Sequence, residues 1–376
     1  MFSYYFKKTS GVVRFLRQYM ALIISSIILF LTFYNALNHK SLLKIVFRIR
    51  KVILYSLMIV VIYGSIEYLI VEFKVDSLRE TLYLFNYLPF TDVLIDQRTY
   101  RISSVTFEPP ALATYLITAS GWMFSYIITD KGIKRFVPAL LVVLFSFLSG
   151  SRAGFFIIIV QIFIFILYIL KDRKFNRLFV NIFLTTAFSF AFVVVFFGST
   201  ATEYVYDELN SFELEDNVHA NSNKTRFGIQ YALFEVFKEN PIRGVGFGLQ
   251  AFESKEKYPD WATENNWEFS WRYLNEDEPS FPPGYNMYLR LLSETGIIGL
   301  GIFVLFLVSI LLCCYNMTFV RKGDFRVLGF IITISMAGYI FNWLKMDTFR
   351  IYGFWLCLAL LIAYQKQKQI NIEKTS

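Results

Sequence analysis

Long apolar runs constrain this chain more than any other feature. Stretches of about 16–22 apolar residues recur along it, close to the ~20 residues that carry a helix across ~30 Å of hydrocarbon. In a bilayer each segment must pair its own backbone N–H and C=O groups, so such runs persist there as helices. Composition agrees: 56% of the 376 residues are hydrophobic and 18% are charged, against roughly 45–50% and 25% in soluble domains. Mean hydropathy is +0.48. A soluble globular enzyme, a disordered chain and a secreted disulfide scaffold are excluded. The expected fold is all-α, a multi-pass integral membrane helical bundle.

Spans are expected at 20–37, 52–73, 111–129, 136–149, 153–170, 178–198, 297–317, 327–343 and 351–364. Segments 38–51, 131–135, 171–177, 321–326 and 365–376 hold 5, 3, 4, 3 and 3 Lys+Arg, which assigns them to the cytoplasm by the positive-inside rule. The net charge of +8 is therefore a topology signal, with no nucleic-acid partner expected. Three regions follow: 1–198, N-terminal spans with a short external loop at 74–110; 199–290, a large external loop; and 291–376, C-terminal spans and a cytoplasmic tail. No cleavable signal peptide is evident. Nine spans with a cytoplasmic C-terminus put the N-terminus outside, yet Lys7, Lys8, Arg14 and Arg17 lie there. Either the first span is misread or the chain lacks spans that longer relatives have; the second reading is favoured. Cys313, Cys314 and Cys357 sit in apolar blocks without metal or disulfide spacing.

The segment 199–290 carries 8 Lys+Arg and 16 Asp+Glu. Loops this long are functional or disordered, and Trp261, Trp267 and Trp271 argue for order. A carrier would show repeats and short loops, so the chemistry is expected outside, at the membrane face. Residues 225–240 read as an amphipathic helix with Phe227, Leu233, Phe234 and Phe237 on one face, capped by Asn223 or Thr225 and stopped by Pro241. Arg226 would fall in its first turn, either binding an anion or pairing with the loop's acids. Gly244-Val-Gly246-Phe-Gly248 is a tight turn or a phosphate-facing one. Trp267-Glu-Phe269-Ser-Trp271-Arg-Tyr273 has period-two aromatics. It predicts a short extended segment that stacks on sugars, dips into the interface or packs the loop. Glu276-Asp277-Glu278 reads as a solvated acidic turn rather than a metal site, and neither metal nor cofactor is expected.

Four motifs then occur in order. They are Arg101 through Glu108-Pro109; Ser149-Gly-Ser-Arg152-Ala-Gly154; Arg226 followed by Asn240-Pro241-Ile-Arg-Gly244-Val-Gly246; and Tyr285-Asn286 with a nine-residue gap to Gly296 and then Gly299. Together, over about 100–300, they resemble the bacterial O-antigen polymerase and ligase group, including Wzy-type polymerases. The ligase pattern has His where this chain has Tyr285. The resemblance implies a glycosyltransferase-C-like membrane fold in the bacterial inner membrane. It also implies transfer of a sugar chain from a polyprenyl diphosphate carrier to an acceptor hydroxyl, making O-antigen or capsule. The implied partners are a polyprenyl-diphosphate-linked oligosaccharide, membrane lipid and a chain-length regulator. Arg152, Arg226 and Arg101 would hold the diphosphate, since guanidinium groups grip phosphate oxygens bidentately. Glu108, Glu294 and Tyr285 are the candidate bases; Tyr285, Asn286, Gly244, Gly246 and Glu294 are candidate substrate contacts. The missing His favours a repeat-unit polymerase over a ligase or a flippase.

Overall fold

The computed structural model describes residues 4–37, 41–87, 93–95, 100–171, 180, 220–320 and 325–373. The span expected at 178–198, His39 and His219 lie outside the described residues. A hairpin of β1 (Tyr5–Phe6) and β2 (Thr9–Ser10) leads into α1 (Gly11–Leu22), a wide turn at Ile23–Ile28 and α2 (Leu29–Leu37). Then come α3 (Leu42–Val71), α4 (Pro109–Thr129), α5 (Val137–Leu148), α6 (Arg152–Lys171), α7 (Ala220–Glu239), α8 (Met287–Tyr315), α9 (Arg326–Asn342) and α10 (Tyr352–Glu373). Eight of the nine expected spans fall on these helices. Gly11–Leu37, Pro109–Thr129, Arg152–Lys171 and Met287–Phe319 are long and apolar enough to cross a membrane, and Arg326–Asn342 is a shorter apolar helix.

The described chain divides into two compact units. The first is Ile28–Lys171 with Val308–Asn342 and Ile351–Ser376. Its centre is α4, most of whose apolar window is buried, because small residues let other helices approach closely. A Cβ on Gly121 would meet the Ser335 hydroxyl and the Ile331 carbonyl, and one on Gly338 would meet the Gln161 amide. Gln161 Nε2 donates to the carbonyls of Ile117 (3.1 Å) and Ile334 (3.0 Å), tying α6 to α4 and α9. Pro109 and Pro110 open α4 with fixed φ and no N–H to satisfy. Extended Glu108 precedes them, and its carbonyl accepts from the N–H groups of Ala111 and Leu112.

The second unit comprises Met1–Ile27, Asp172–Leu307 and Trp343–Arg350. Here α7 forms where a helix was expected, but it buries a different face. Thr225, Gly228, Ile229, Ala232, Leu233 and Val236 are buried, while Phe227 and Phe234 are exposed. The reason is close approach: a Cβ on Gly228 would strike Ala262, so the small residues mark the contact and the large rings stay outside. The helix begins by Ala220, which puts Arg226 in its second turn. Thr225 is therefore no cap; its buried hydroxyl accepts from Asn266 Nδ2 at 2.9 Å.

The period-two aromatic stretch is also corrected. Glu268–Tyr273 is a wide helical turn closed by Leu274 N–H to the Phe269 carbonyl at 2.8 Å. Positions four apart share a helix face and positions two apart oppose. Alternation therefore sorts into two pairs, Phe269 and Tyr273 inward, Trp267 and Trp271 outward. Asn266 Oδ1 starts the turn by accepting from Glu268 N–H (3.1 Å).

The N-terminal basic residues pack on this acidic region. Lys7 is only 3% exposed, and its ammonium donates to the carbonyls of Arg272 (2.6 Å), Asn275 (2.9 Å) and Glu278 (2.8 Å). Lys8 pairs with Asp277 at 2.7 Å, and Arg14 stacks on the Phe281 ring at 4.1 Å. Residues 4–14 thus pack against the loop around 268–281, and the N-terminal cations are held by its carbonyls, a carboxylate and a ring.

Candidate functional site

In the second unit, two of the sequence motifs prove to be halves of one joint. After α7, Pro241 ends the helix and the chain turns through Gly244 (φ 64°) and Gly246 (φ 109°). It docks backbone to backbone on α8, which breaks at Gly296 (φ 64°, ψ −167°). Val245 N–H donates to the Ser293 carbonyl (3.0 Å), Gly246 N–H to that of Glu294 (2.8 Å), and Ile297 N–H to that of Pro241 (2.9 Å). A Cβ on Gly244 would overlap the Glu294–Thr295 peptide, and one on Gly296 the Ile242 carbonyl. These glycines permit a close approach at left-handed φ. Gly244, Val245 and Gly246 have their N–H groups engaged inside the protein, Gly244 with the Asn240 carbonyl (3.0 Å). They fix the backbone of the joint.

Arg290 in the first half of α8 is the hub that the joint holds in place. Its Nε donates to Glu294 Oε1 (3.1 Å), Nη1 to the Asp347 carbonyl (2.7 Å) and Nη2 to Gln18 Oε1 (3.0 Å). Asp347 Oδ2 lies 3.5 Å from Nη1 and accepts from Gly284 N–H at 2.7 Å. Glu294 is wholly buried. As an ion-pair partner one helical turn along from Arg290, it holds that guanidinium in place. A cavity of about 230 Å³ opens beside the hub, lined by Gln18, Ser25, Phe247, Asp347, Phe349 and Arg350 among others.

Nearby, the Arg226 guanidinium sits over the Tyr285 ring, 5.5 Å from its centroid. Tyr285 holds φ 51° and shares a 2.9 Å hydroxyl–hydroxyl hydrogen bond with Tyr273. Burial first, then Tyr273 and Glu268, push its phenol well above the usual range, with Arg226 opposing. It therefore cannot serve as a base near neutral pH. Asn286 is the N-cap of α8, its Oδ1 accepting from the N–H groups of Tyr288 (3.0 Å) and Leu289 (3.2 Å).

In the first unit, Arg101 Nε donates to the Ser149 carbonyl at 3.2 Å, and Gly150 (φ 57°) leaves room for its side chain. Arg152 follows as the first residue of α6, just past this turn. The segment bearing Arg101 is pinned by Glu67, fully buried in α3. Glu67 accepts from Ser103 N–H (3.0 Å), Ser103 Oγ (3.2 Å) and Ser104 N–H (2.6 Å). Glu108 is exposed at the start of α4, and among the described residues its carboxylate makes no ion pair.

The structure thus groups Arg226 with Tyr285, Glu294 with Gly244 and Gly246, and Arg101 with the turn before Arg152. Sequence reading missed Glu67, Arg290, Asp347 and Gln18. A lone carboxylate inside an apolar span was the available signal for Glu67; nothing local marked the others. The acidic run 276–278 receives Lys7 and Lys8, as already described.

Comparison with known families places these features. A family model described as O-antigen ligase matches residues 137–304. The match includes Arg152, Arg226, the glycine joint, Tyr285, Asn286, Arg290 and Glu294, and it supports membership of the O-antigen polymerase and ligase group. Over that region the chain is similar to a family described as O-antigen ligase, and its long apolar helices suit an integral membrane protein. No curated protein matches its sequence significantly.

Proposed function

We propose that this protein joins polyprenyl-diphosphate-linked oligosaccharide repeat units into a surface polysaccharide at the outer face of the inner membrane. The family match at 137–304 supports sugar-chain transfer from a lipid carrier. Tyr285 carries the finer choice. It stands where the ligase pattern has His, and its partly buried phenol, hydrogen-bonded to Tyr273, cannot take up a proton as an imidazole would.

In this reading the polyprenyl diphosphate leaves as negative charge develops on its phosphate oxygens, and preorganised cations lower that barrier. Arg226, exposed above the Tyr285 ring, Arg152 at the start of a 20-residue helix and Arg101, braced by the Ser149 carbonyl, supply them. The helix N-terminus at Arg152 adds N–H groups that favour an anion. A chain-length regulator is a proposed partner. The test is substitution: Arg152→Ala, Arg226→Ala and Arg101→Ala each stop polymer growth while the protein stays in the membrane. Normal chain-length ladders from all three would refute the cation role. The ligase alternative rests on the description of the matching family and predicts transfer of preassembled chains onto a second lipid.

A further inference from the structure

The cavity beside Arg290 has a chemistry that the proposed arginines do not use. Its polar groups are mixed in sign. Arg290 and Arg350 are balanced by Glu294 and Asp347, so these four groups together carry no net charge. Because Gln18 Oε1 accepts from Arg290, the amide's NH₂ end is left as a donor. Asp347 Oδ2 is committed to Gly284 and Arg290, which leaves Oδ1 as an acceptor. The Arg350 guanidinium and the Thr348 hydroxyl add donors, and Phe247 and Phe349 supply apolar faces.

A phosphate would meet the Asp347 carboxylate as well as the guanidinium groups, so this neutral set offers it no net attraction. Paired hydroxyls, each both donor and acceptor, match this set, and the C–H face of a sugar ring matches the phenyl walls. At about 230 Å³ the cavity falls below the ~300–1,000 Å³ of drug-sized pockets, which suits one ring and not an oligosaccharide. We infer that the cavity bounded by Gln18, Phe247, Asp347, Phe349 and Arg350 binds a single neutral sugar ring, the acceptor end of the oligosaccharide remote from any diphosphate. The assignment of that ring to an acceptor rests on the polymerase reading; the binding of a sugar does not.

The test uses the purified full-length chain in nanodiscs. Its probes are diphosphate-free repeat-unit oligosaccharide, released by mild acid from the lipid-linked pool, and inorganic pyrophosphate. Saturation-transfer NMR and titration read binding. Wild type binds the oligosaccharide, equimolar pyrophosphate leaves it bound, and Ala21→Phe, which fills the cavity from α1, weakens binding at least tenfold. Arg350→Ala, at an exposed rim position, does the same without disturbing packing and covers the case in which Ala21→Phe misfolds. Absence of wild-type binding, displacement by pyrophosphate or wild-type affinity in Arg350→Ala overturns the proposal. Variant-sensitive binding without any polymer ladder from wild-type membranes would sustain the sugar site and sink the polymerase reading. A ladder with variant-insensitive binding would do the reverse.

Discussion

Replacing Gly244 with alanine separates the two meanings of the glycine-rich turn. At φ 64° a side chain costs about 1–2 kcal/mol in backbone strain alone. The new Cβ also overlaps the Glu294–Thr295 peptide, which is main chain and cannot swing aside. Relief requires the turn to lift off α8, breaking the Val245–Ser293, Gly246–Glu294 and Ile297–Pro241 bonds at a net of about 1 kcal/mol each. The total is about 4–5 kcal/mol, a melting shift on the order of 10 °C for a unit of this size. Gly296→Ala overlaps the Ile242 carbonyl at the same joint and should cost about as much by the same reasoning. Gly301 in α8 is the control: a Cβ there meets nothing within 4 Å, so Gly301→Ala is neutral or stabilising by up to about 1 kcal/mol. Thermal unfolding in detergent, followed by tryptophan fluorescence, measures all three. If Gly244→Ala melted like wild type yet lost activity, the turn would be a ligand cradle and the docking argument would be wrong.

Other expectations concern the loop. Lys7→Met removes three hydrogen bonds from a buried ammonium and should destabilise by about 2–3 kcal/mol, seen as faster protease cleavage near 268–281. Tyr285→Phe loses only the hydroxyl bond to Tyr273 and keeps the ring beneath Arg226. It should retain most activity, whereas Tyr285→Ala loses both contacts and should fall much further; equal loss in the two would assign the chemistry to the hydroxyl. Glu268 is held above the usual carboxylate range chiefly by burial, opposed by Thr225, Arg226 and Arg272. A carboxyl raised on folding favours the native state while protonated and loses that contribution as pH rises through its native value. Relative to Glu268→Gln, wild type should therefore lose stability as pH rises from about 4 through the carboxyl's raised native value, and a pH-independent difference in melting temperature would count against this.

The membrane helices were legible because hydrocarbon leaves an apolar run no alternative to helix. Turn and cap assignments in the loop fared worse, for reasons visible in particular residues. The aromatics at 267–273 alternate, but alternation over seven residues also describes two opposed helix faces, and Asn266 tips the balance by capping a turn. In α7 the large rings looked like the buried face, whereas Gly228 and Ala262 set the contact. The motif glycines were recognisable, but their partner was not: Gly244 answers to Glu294, fifty residues on. Arg290, Asp347 and Gln18 are far apart in sequence and carry no shared local pattern, so only the folded second unit assembles them. Lys7 and Lys8 looked like topology charges until their carbonyl and carboxylate partners were in view.

Membranes containing this protein, supplied with purified polyprenyl-diphosphate-linked repeat units and resolved on a gel, test the central claim most directly. Repeat-unit polymerisation predicts a ladder spaced at one unit, lost in Arg226→Ala. Transfer of single units or chains onto a different lipid with no ladder, or no transfer at all from authentic units, would contradict it.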